Sequence, residues 1–303
     1  MGAGSGRASG DWFRSEDDGS GAVPATSDFD TRPRLPPQGG WPVDFSDQEI
    51  AAPAVGGDGC DDQVRGPGVA HEPMFHVKVC GVTSADDARM VAAAGADAIG
   101  LNFVPGSPRC LDAAAARRVA EAVPDDVLVV GVFAGATPEE MRRVAAEVGL
   151  DAIQLHGRLG GEASDPPEAC AAVAPLPVIR AVRLAADGFG EVRGWLAEAA
   201  TLGHAPVMAV VDAAVPTTAT PGALGGTGET VDWSRLTAAG SLGIPIALAG
   251  GLTPDNVAAA IAATRVRAVD TASGVEQAPG RKDPEKVRRF CEAARMALAR
   301  AGL

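Results

Sequence analysis

Val77-Lys78-Val79-Cys80-Gly81 alternates apolar and functional side chains and then stops on glycine. A period of two is the pattern of a β-strand. A helical segment follows at about 84–94, and the same unit then recurs down the chain. Val/Ile/Leu-rich runs lie at about 76–81, 98–104, 127–133, 152–157, 178–184, 207–214, 244–250 and 268–274. Helical segments follow them at about 84–94, 112–123, 137–148, 166–174, 187–200, 232–240, 254–263 and 283–301. Alternating βα units imply a parallel sheet, and eight of them fit a closed barrel better than an open doubly wound sheet. The expected fold is α/β, a (β/α)8 TIM barrel.

Within the opening strand, alternate side chains share a face, so an inward Cys80 brings Lys78 inward with it. An ammonium beside a thiol favours the thiolate, the form that takes a proton. Taken alone, Cys80 reads more readily as a small buried hydrophobe. The residues downstream decide.

Helix starts carry their own signatures. Ser84, Asp112, Thr137 and Thr253 stand where N-caps are expected, and Pro138 and Pro254 follow at the first helical position, where a missing N–H costs nothing. Gly95-Ala-Asp-Ala-Ile99 and Gly149-Leu-Asp-Ala-Ile153 are near-copies at matching points of two units. They reflect either internal duplication or one local demand met twice.

The apolar fraction of 46% is ample for a core. Cys60, Cys80, Cys110, Cys170 and Cys291 are odd in number and far apart, with no CxxC, so neither a disulfide framework nor a structural zinc site is expected. No apolar run approaches the roughly 18 residues of a membrane span, and the first residues lack a signal-peptide pattern. The expectation is a soluble cytoplasmic protein without a membrane partner. Net charge is −13, and residues 1–73 hold 13 Asp/Glu against 5 Arg, a net of −8. So acidic a chain, lacking a basic stripe, argues against a nucleic-acid partner.

Residues 1–73 are rich in Gly, Pro, Ser and Asp and hold no sustained apolar period. Such a segment cannot bury enough surface to offset its ordering entropy, so a disordered, acidic, low-complexity extension is expected there, with a catalytic barrel over 74–303. Met74 directly precedes the first strand and is a candidate translation start, residues 1–73 then being an upstream reading of the gene. The alternative is a genuine regulatory or interaction tail.

In a (β/α)8 barrel the active site lies at the C-terminal strand ends. The residues expected there are Cys80; Asn102 and Arg109; Phe133; Gln154 and His156; Arg180 and Arg183; Asp212; Gly250 and Gly251; and Asp270, Ser273 and Gly274. Two glycine turns, at Gly250-Gly251 and Ser273-Gly274, fall in the adjacent loops after strands 7 and 8. Backbone N–H groups exposed by such turns, with a helix N-terminus behind, bind dianions. A third glycine-rich piece, Gly225-Gly226-Thr227-Gly228, is placed to close over the same phosphate. The expected ligand is a small phosphorylated molecule.

Lys78-Val-Cys-Gly-Val-Thr83, Gly131-Val-Phe133, Ile153-Gln-Leu-His-Gly157, Asp212, Gly225-Gly-Thr-Gly228 with Asp232-Trp233, Ala249-Gly-Gly-Leu-Thr-Pro-Asp-Asn256, and Asp270-Thr-Ala-Ser-Gly-Val-Glu276 with Pro279-Gly-Arg-Lys-Asp283 together resemble phosphoribosylanthranilate isomerase, the barrel enzyme of tryptophan biosynthesis. The likeness falls in seven of the eight units and keeps the family's order. It implies an Amadori rearrangement of N-(5'-phosphoribosyl)anthranilate with no cofactor. A general acid protonates the ribose ring oxygen, the ring opens to a Schiff base, and a general base removes the C2 proton. By the family's motif Cys80 resembles the base, Asp212 the acid, and Arg109 the arginine that holds the anthranilate carboxylate. Asp270 is expected to face the substrate amine, with Gly226, Gly250, Gly251, Ser273 and Gly274 on the phosphate. An acid working near neutral pH needs a raised pKa, which an apolar barrel mouth can supply. The alternative for Asp212 is a carboxylate paired with Arg183.

Departures from the family pattern fall at Glu229, where lysine is expected, at Thr271-Ala-Ser-Gly274 in place of a double serine, and in the longer Ala213–Leu224 loop. The nearest rival is the related isomerase of histidine biosynthesis, or a dual-substrate enzyme, both of which resemble this chain but carry aspartate where it has Cys80. A catalytically silent sugar-phosphate-binding barrel would be expected to lose the acid or the base. The working form is expected to be a monomer or homodimer.

Overall fold

The computed structural model describes residues 72–157, 165–184, 188–212 and 233–303. Eight parallel strands pair in chain order, and the last returns to the first. They are β1 Val77–Cys80, β2 Ala98–Asn102, β3 Leu128–Phe133, β4 Ala152–Leu155, β5 Val178–Arg183, β6 Met208–Asp212, β7 Ile246–Ala249 and β8 Ala268–Thr271. Helices α1 Ala85–Ala93, α2 Ala113–Ala120, α3 Pro138–Val148, α4 Glu168–Ala172, α5 Gly190–Thr201, α6 Ser234–Ala239, α7 Val257–Thr264 and α8 Pro284–Ala301 alternate with them. This is the (β/α)8 TIM barrel. Most of the extension expected to be disordered, residues 1–71, lies outside the described residues, as do Ala213–Leu224, Gly226 and Glu229.

The two-residue period sorts the side chains. Val77, Val79, Ile99, Leu101, Val129 and Ile153 join the core shared with the helices, while Ala98, Leu128, Val130, Ala152, Ile179 and Met208 fill the barrel. Met74 and Phe75, just before β1, join the inner set and close the N-terminal end of the barrel. Burying a side chain such as Phe75 stabilises by roughly 1.5–3 kcal/mol.

Local signals hold the units in place. Ser84, Asp112 and Thr137 each accept a backbone N–H from the first turn of α1, α2 and α3. The near-copies have a shared physical basis: Asp97 Oδ2 accepts from Val77 N and Asp151 Oδ2 from Val129 N, each carboxylate pinning the start of the neighbouring strand. Thr253 and Pro254 depart from expectation. Helix α7 begins three residues later, because Asn256 folds back, accepting from Thr253 N and donating to Gly251 O, which holds this stretch as a turn. A two-stranded hairpin, β9 Glu276–Ala278 and β10 Arg281–Lys282, follows β8 and was not foreseen.

Candidate active site

The C-terminal strand ends surround a cavity of about 770 Å³, within the range of small-molecule sites. Cys80, Arg109, Asp212, Asp270, Gly250, Gly251, Ser273 and Gly274 all line it. Residues up to 202 positions apart are thereby brought to one face, as when Lys282 reaches the Cys80 carbonyl. Gly226, the remaining phosphate candidate, lies outside the described residues.

Closure of the barrel sets the first charge pair. Lys78 lies opposite Asp270 in the β1–β8 ladder, and its ammonium donates to Asp270 Oδ2 at 2.8 Å with both side chains buried. Burial alone would lower the Lys78 ammonium, but Asp270 and the Cys80 thiol beside it hold it above its ordinary value. Burial pushes the Asp270 carboxyl up by more than Lys78 pulls it back. Asp270 Oδ1 is buried with no hydrogen-bond partner among the described residues, a group left open beside a cavity.

Cys80 corrects one expectation. Its thiol opens on the cavity and Lys78 and Lys282 do favour the thiolate, yet burial outweighs them and the thiol sits above its ordinary value. The lysine was expected to win. The sequence showed Lys78 but not Asp270 beside it, whose negative charge adds to the upward shift.

Arg109, in the loop between β2 and α2, crosses the end of β1. Its Nε and Nη2 donate to the two Glu276 carboxylate oxygens at 2.8 and 2.6 Å. Nη1 has no hydrogen bond among the described residues. A Cβ on Gly81 would stand 2.3 Å from Arg109 Cδ, and Gly81 has φ +73, so glycine is what lets the arginine lie there.

The turns after β7 and β8 form one surface. Thr271 Oγ1 donates to Leu252 O at 2.8 Å, and a Cβ on Gly274 would fall 1.8 Å from that same oxygen. Gly250 and Gly251 both have positive φ. A one-turn 3₁₀ helix, Ser273–Val275, replaces the end of the expected eighth strand. Its turn and the glycine pair both face the cavity.

Arg180 and Arg183 on strand 5 both line the cavity, but the Arg180 guanidinium is spent on the protein itself. Arg180 shares its parity with Val178 and Val182, which face the helices; its guanidinium donates to Leu155 O and Gly157 O, lies 3.5 Å from Asp165, and stacks on Trp195. His156 lines the cavity, and burial with the charge of Lys78 lowers its pKa, so the ring is neutral near pH 7. Among the described residues no group of three His, Cys, Asp or Glu could hold a metal, and no helix is long and apolar enough to cross a membrane.

Residues 77–293 match the family model described as N-(5'-phosphoribosyl)anthranilate (PRA) isomerase. N-(5'-phosphoribosyl)anthranilate isomerase from Myxococcus xanthus (strain DK1622) is 42% identical over 229 residues, spanning 72% of this chain and 95% of that protein. A crystal structure of phosphoribosyl anthranilate isomerase in complex with reduced 1-(o-carboxyphenylamino)-1-deoxyribulose 5-phosphate superposes with a TM-score of 0.59 and 33% identity, over 73% of this chain and 99% of that one. Mutually generated monomers of the dimeric enzyme from Thermotoga maritima superpose with a TM-score of 0.57 and 32% identity over the same shares, 73% and 99%.

Proposed function

The chain belongs to the N-(5'-phosphoribosyl)anthranilate isomerase family, and we propose that Cys80 and Asp212 are the base and the acid of its reaction. The protein is an isomerase of tryptophan biosynthesis, converting N-(5'-phosphoribosyl)anthranilate to 1-(2-carboxyphenylamino)-1-deoxyribulose 5-phosphate. The histidine-pathway and silent-barrel alternatives are not favoured. The observation that carries the residue roles is the meeting of Cys80, Asp212, Asp270, Arg109 and two glycine turns in a single cavity.

Asp212 protonates the furanose ring oxygen, the C1–O bond breaks, and the nitrogen lone pair forms the Schiff base. Cys80 as thiolate then takes the C2 proton, and the C2–H electrons move toward the iminium to give the enolamine, which tautomerises to the ketone. Asp270, with Oδ1 open, stands to accept from the substrate amine. Arg109 presents its free edge to the anthranilate carboxylate, and a guanidinium suits a carboxylate through paired hydrogen bonds. The phosphate is assigned to Gly250, Gly251, Ser273 and Gly274, with Gly226 a further candidate from the sequence alone. Residues 74–303 are the catalytic unit, acting in the cytoplasm as a monomer or homodimer; the dimeric relative supports the second form.

The test is turnover of the fluorescent anthranilate substrate, with the histidine-pathway substrate in parallel. Cys80→Ser and Asp212→Asn are each expected to cut turnover by on the order of 10² to 10⁴ with the fold intact. Near-parental turnover in either variant would remove that residue from its role.

A further inference from the structure

Pro279-Gly-Arg-Lys-Asp283 lies beside the cavity rather than in its lining and has no stated use in the reaction, and the structure gives it one. Glu276 at the start of β9 receives both bonds of one Arg109 edge, Nε and Nη2, and, on the same Oε1 as Nε, the Lys282 ammonium at 2.8 Å. Gly280 N, at the hairpin turn, also donates to Oε1 at 3.3 Å. Lys282 is fully buried, and its three N–H bonds are spent on Glu276, on Cys80 O at 2.7 Å and on Ala272 O at 3.1 Å. No hydrogen is left for a ligand. The hairpin is in turn stitched to the first βα unit: Thr83 Oγ1 donates to Gly280 O and Lys282 N to Asp87 Oδ2.

We infer that this hairpin is a positioning device, in which Glu276 aims the open edge of Arg109 at the substrate carboxylate and Lys282 locks Glu276 to the ends of β1 and β8. The inference rests on reading Arg109 as the carboxylate's partner. A long side chain left to itself samples many rotamers and binds weakly; a bidentate partner that is itself held by a buried ammonium removes that freedom before the ligand arrives. Glu276 touches no substrate atom in this account, and acts only through Arg109.

The test compares two ligands on the full chain: reduced 1-(o-carboxyphenylamino)-1-deoxyribulose 5-phosphate and its phenylamino counterpart without the carboxylate. In the parent, losing the carboxylate should weaken binding by on the order of 10- to 100-fold, the worth of a hydrogen-bonded charge. Arg109→Ala should erase that difference. Glu276→Gln should shrink it at least severalfold while the carboxylate-free ligand binds as in the parent. Should burial of an unmatched Lys282 unfold that variant, Glu276→Asp keeps the charge but withdraws the carboxylate by one methylene, and is expected to shrink the difference in the same way. Full discrimination in a folded Glu276 variant, alongside its loss in Arg109→Ala, would overturn the positioning role. Equal weakening of both ligands would also overturn it, as a packing effect. Undiminished discrimination in Arg109→Ala would overturn the reading of Arg109 and the inference with it.

Discussion

Two buried ion pairs sit on different sides of this barrel and do different work. Lys78–Asp270, at 2.8 Å, points into the barrel from β1 and β8; Arg180–Asp165, at 3.5 Å, points outward from β5 toward the helices. The outer pair is nearly saturated. Asp165 accepts from Gly135 N and Gly157 N, its carbonyl accepts from Trp195 Nε1, and Arg180 donates to two carbonyls, with Nε left without a partner among the described residues. The inner pair keeps one carboxylate oxygen open beside the cavity and lies next to the Cys80 thiol. A buried charge with its bonds filled fixes backbone, whereas one left open is available for chemistry. One residue of strand parity separates the two fates.

Breaking each pair should therefore cost similar stability and very different activity. Lys78→Met leaves Asp270 as an unpaired buried carboxyl and is expected to lose about 3–5 kcal/mol of stability by denaturant titration. It should also slow alkylation of Cys80, since the cation that favours the thiolate is gone. That rate has to be read on the Cys80 peptide, because Cys110 is exposed; burial pushes Cys170 up to about 12 and Cys291 up to about 11, which leaves both inert. Arg180→Met should lose a comparable ~3–5 kcal/mol while the folded fraction keeps kcat within a few-fold. If Arg180→Met abolishes kcat with the fold intact, the division between the two pairs fails.

The remaining tests have smaller effects. Ser273→Asp places a carboxylate on the expected phosphate surface and should weaken inorganic phosphate binding, like charges side by side costing on the order of several kcal/mol. Unchanged phosphate affinity would move the phosphate elsewhere. Arg109→Ala should raise KM for the anthranilate substrate about 10- to 100-fold and leave phosphate affinity near the parental value. A chain beginning at Met74 keeps Met74 and Phe75 in the barrel floor and, among the described residues, loses only the exposed Glu72–Arg267 pair, worth about 1 kcal/mol or less. A large fall in Tm on that truncation would mean that earlier residues pack on the barrel.

The eight units were legible because each strand falls in a short Val/Ile/Leu-rich run and each early helix carries a capping residue that does what its type suggests. The site was legible where local order sufficed, as in the Lys78–Cys80 spacing and the paired glycine turns. What escaped depends on closure of the barrel. Lys78 and Asp270 are 192 residues apart and meet only because β8 pairs with β1, so the sequence showed the ammonium without the carboxylate that shares it. The Glu276–Lys282 hairpin escaped for a different reason: strands of three and two residues around Pro-Gly carry no period to read. Arg180 and Arg183 looked alike at a strand end, and only the ladder register sends the first outward.

The most direct test of two separate proton transfers is the pH dependence of kcat/KM in the parent, Cys80→Ala and Asp212→Asn. The base must be unprotonated and the acid protonated, so the parent should rise on the acid side and fall on the alkaline side. Cys80→Ala is expected to lose the acid-side rise and keep the alkaline fall; Asp212→Asn is expected to lose the alkaline fall and keep the rise. If both variants retain both limbs, Cys80 and Asp212 are not the groups that move the protons.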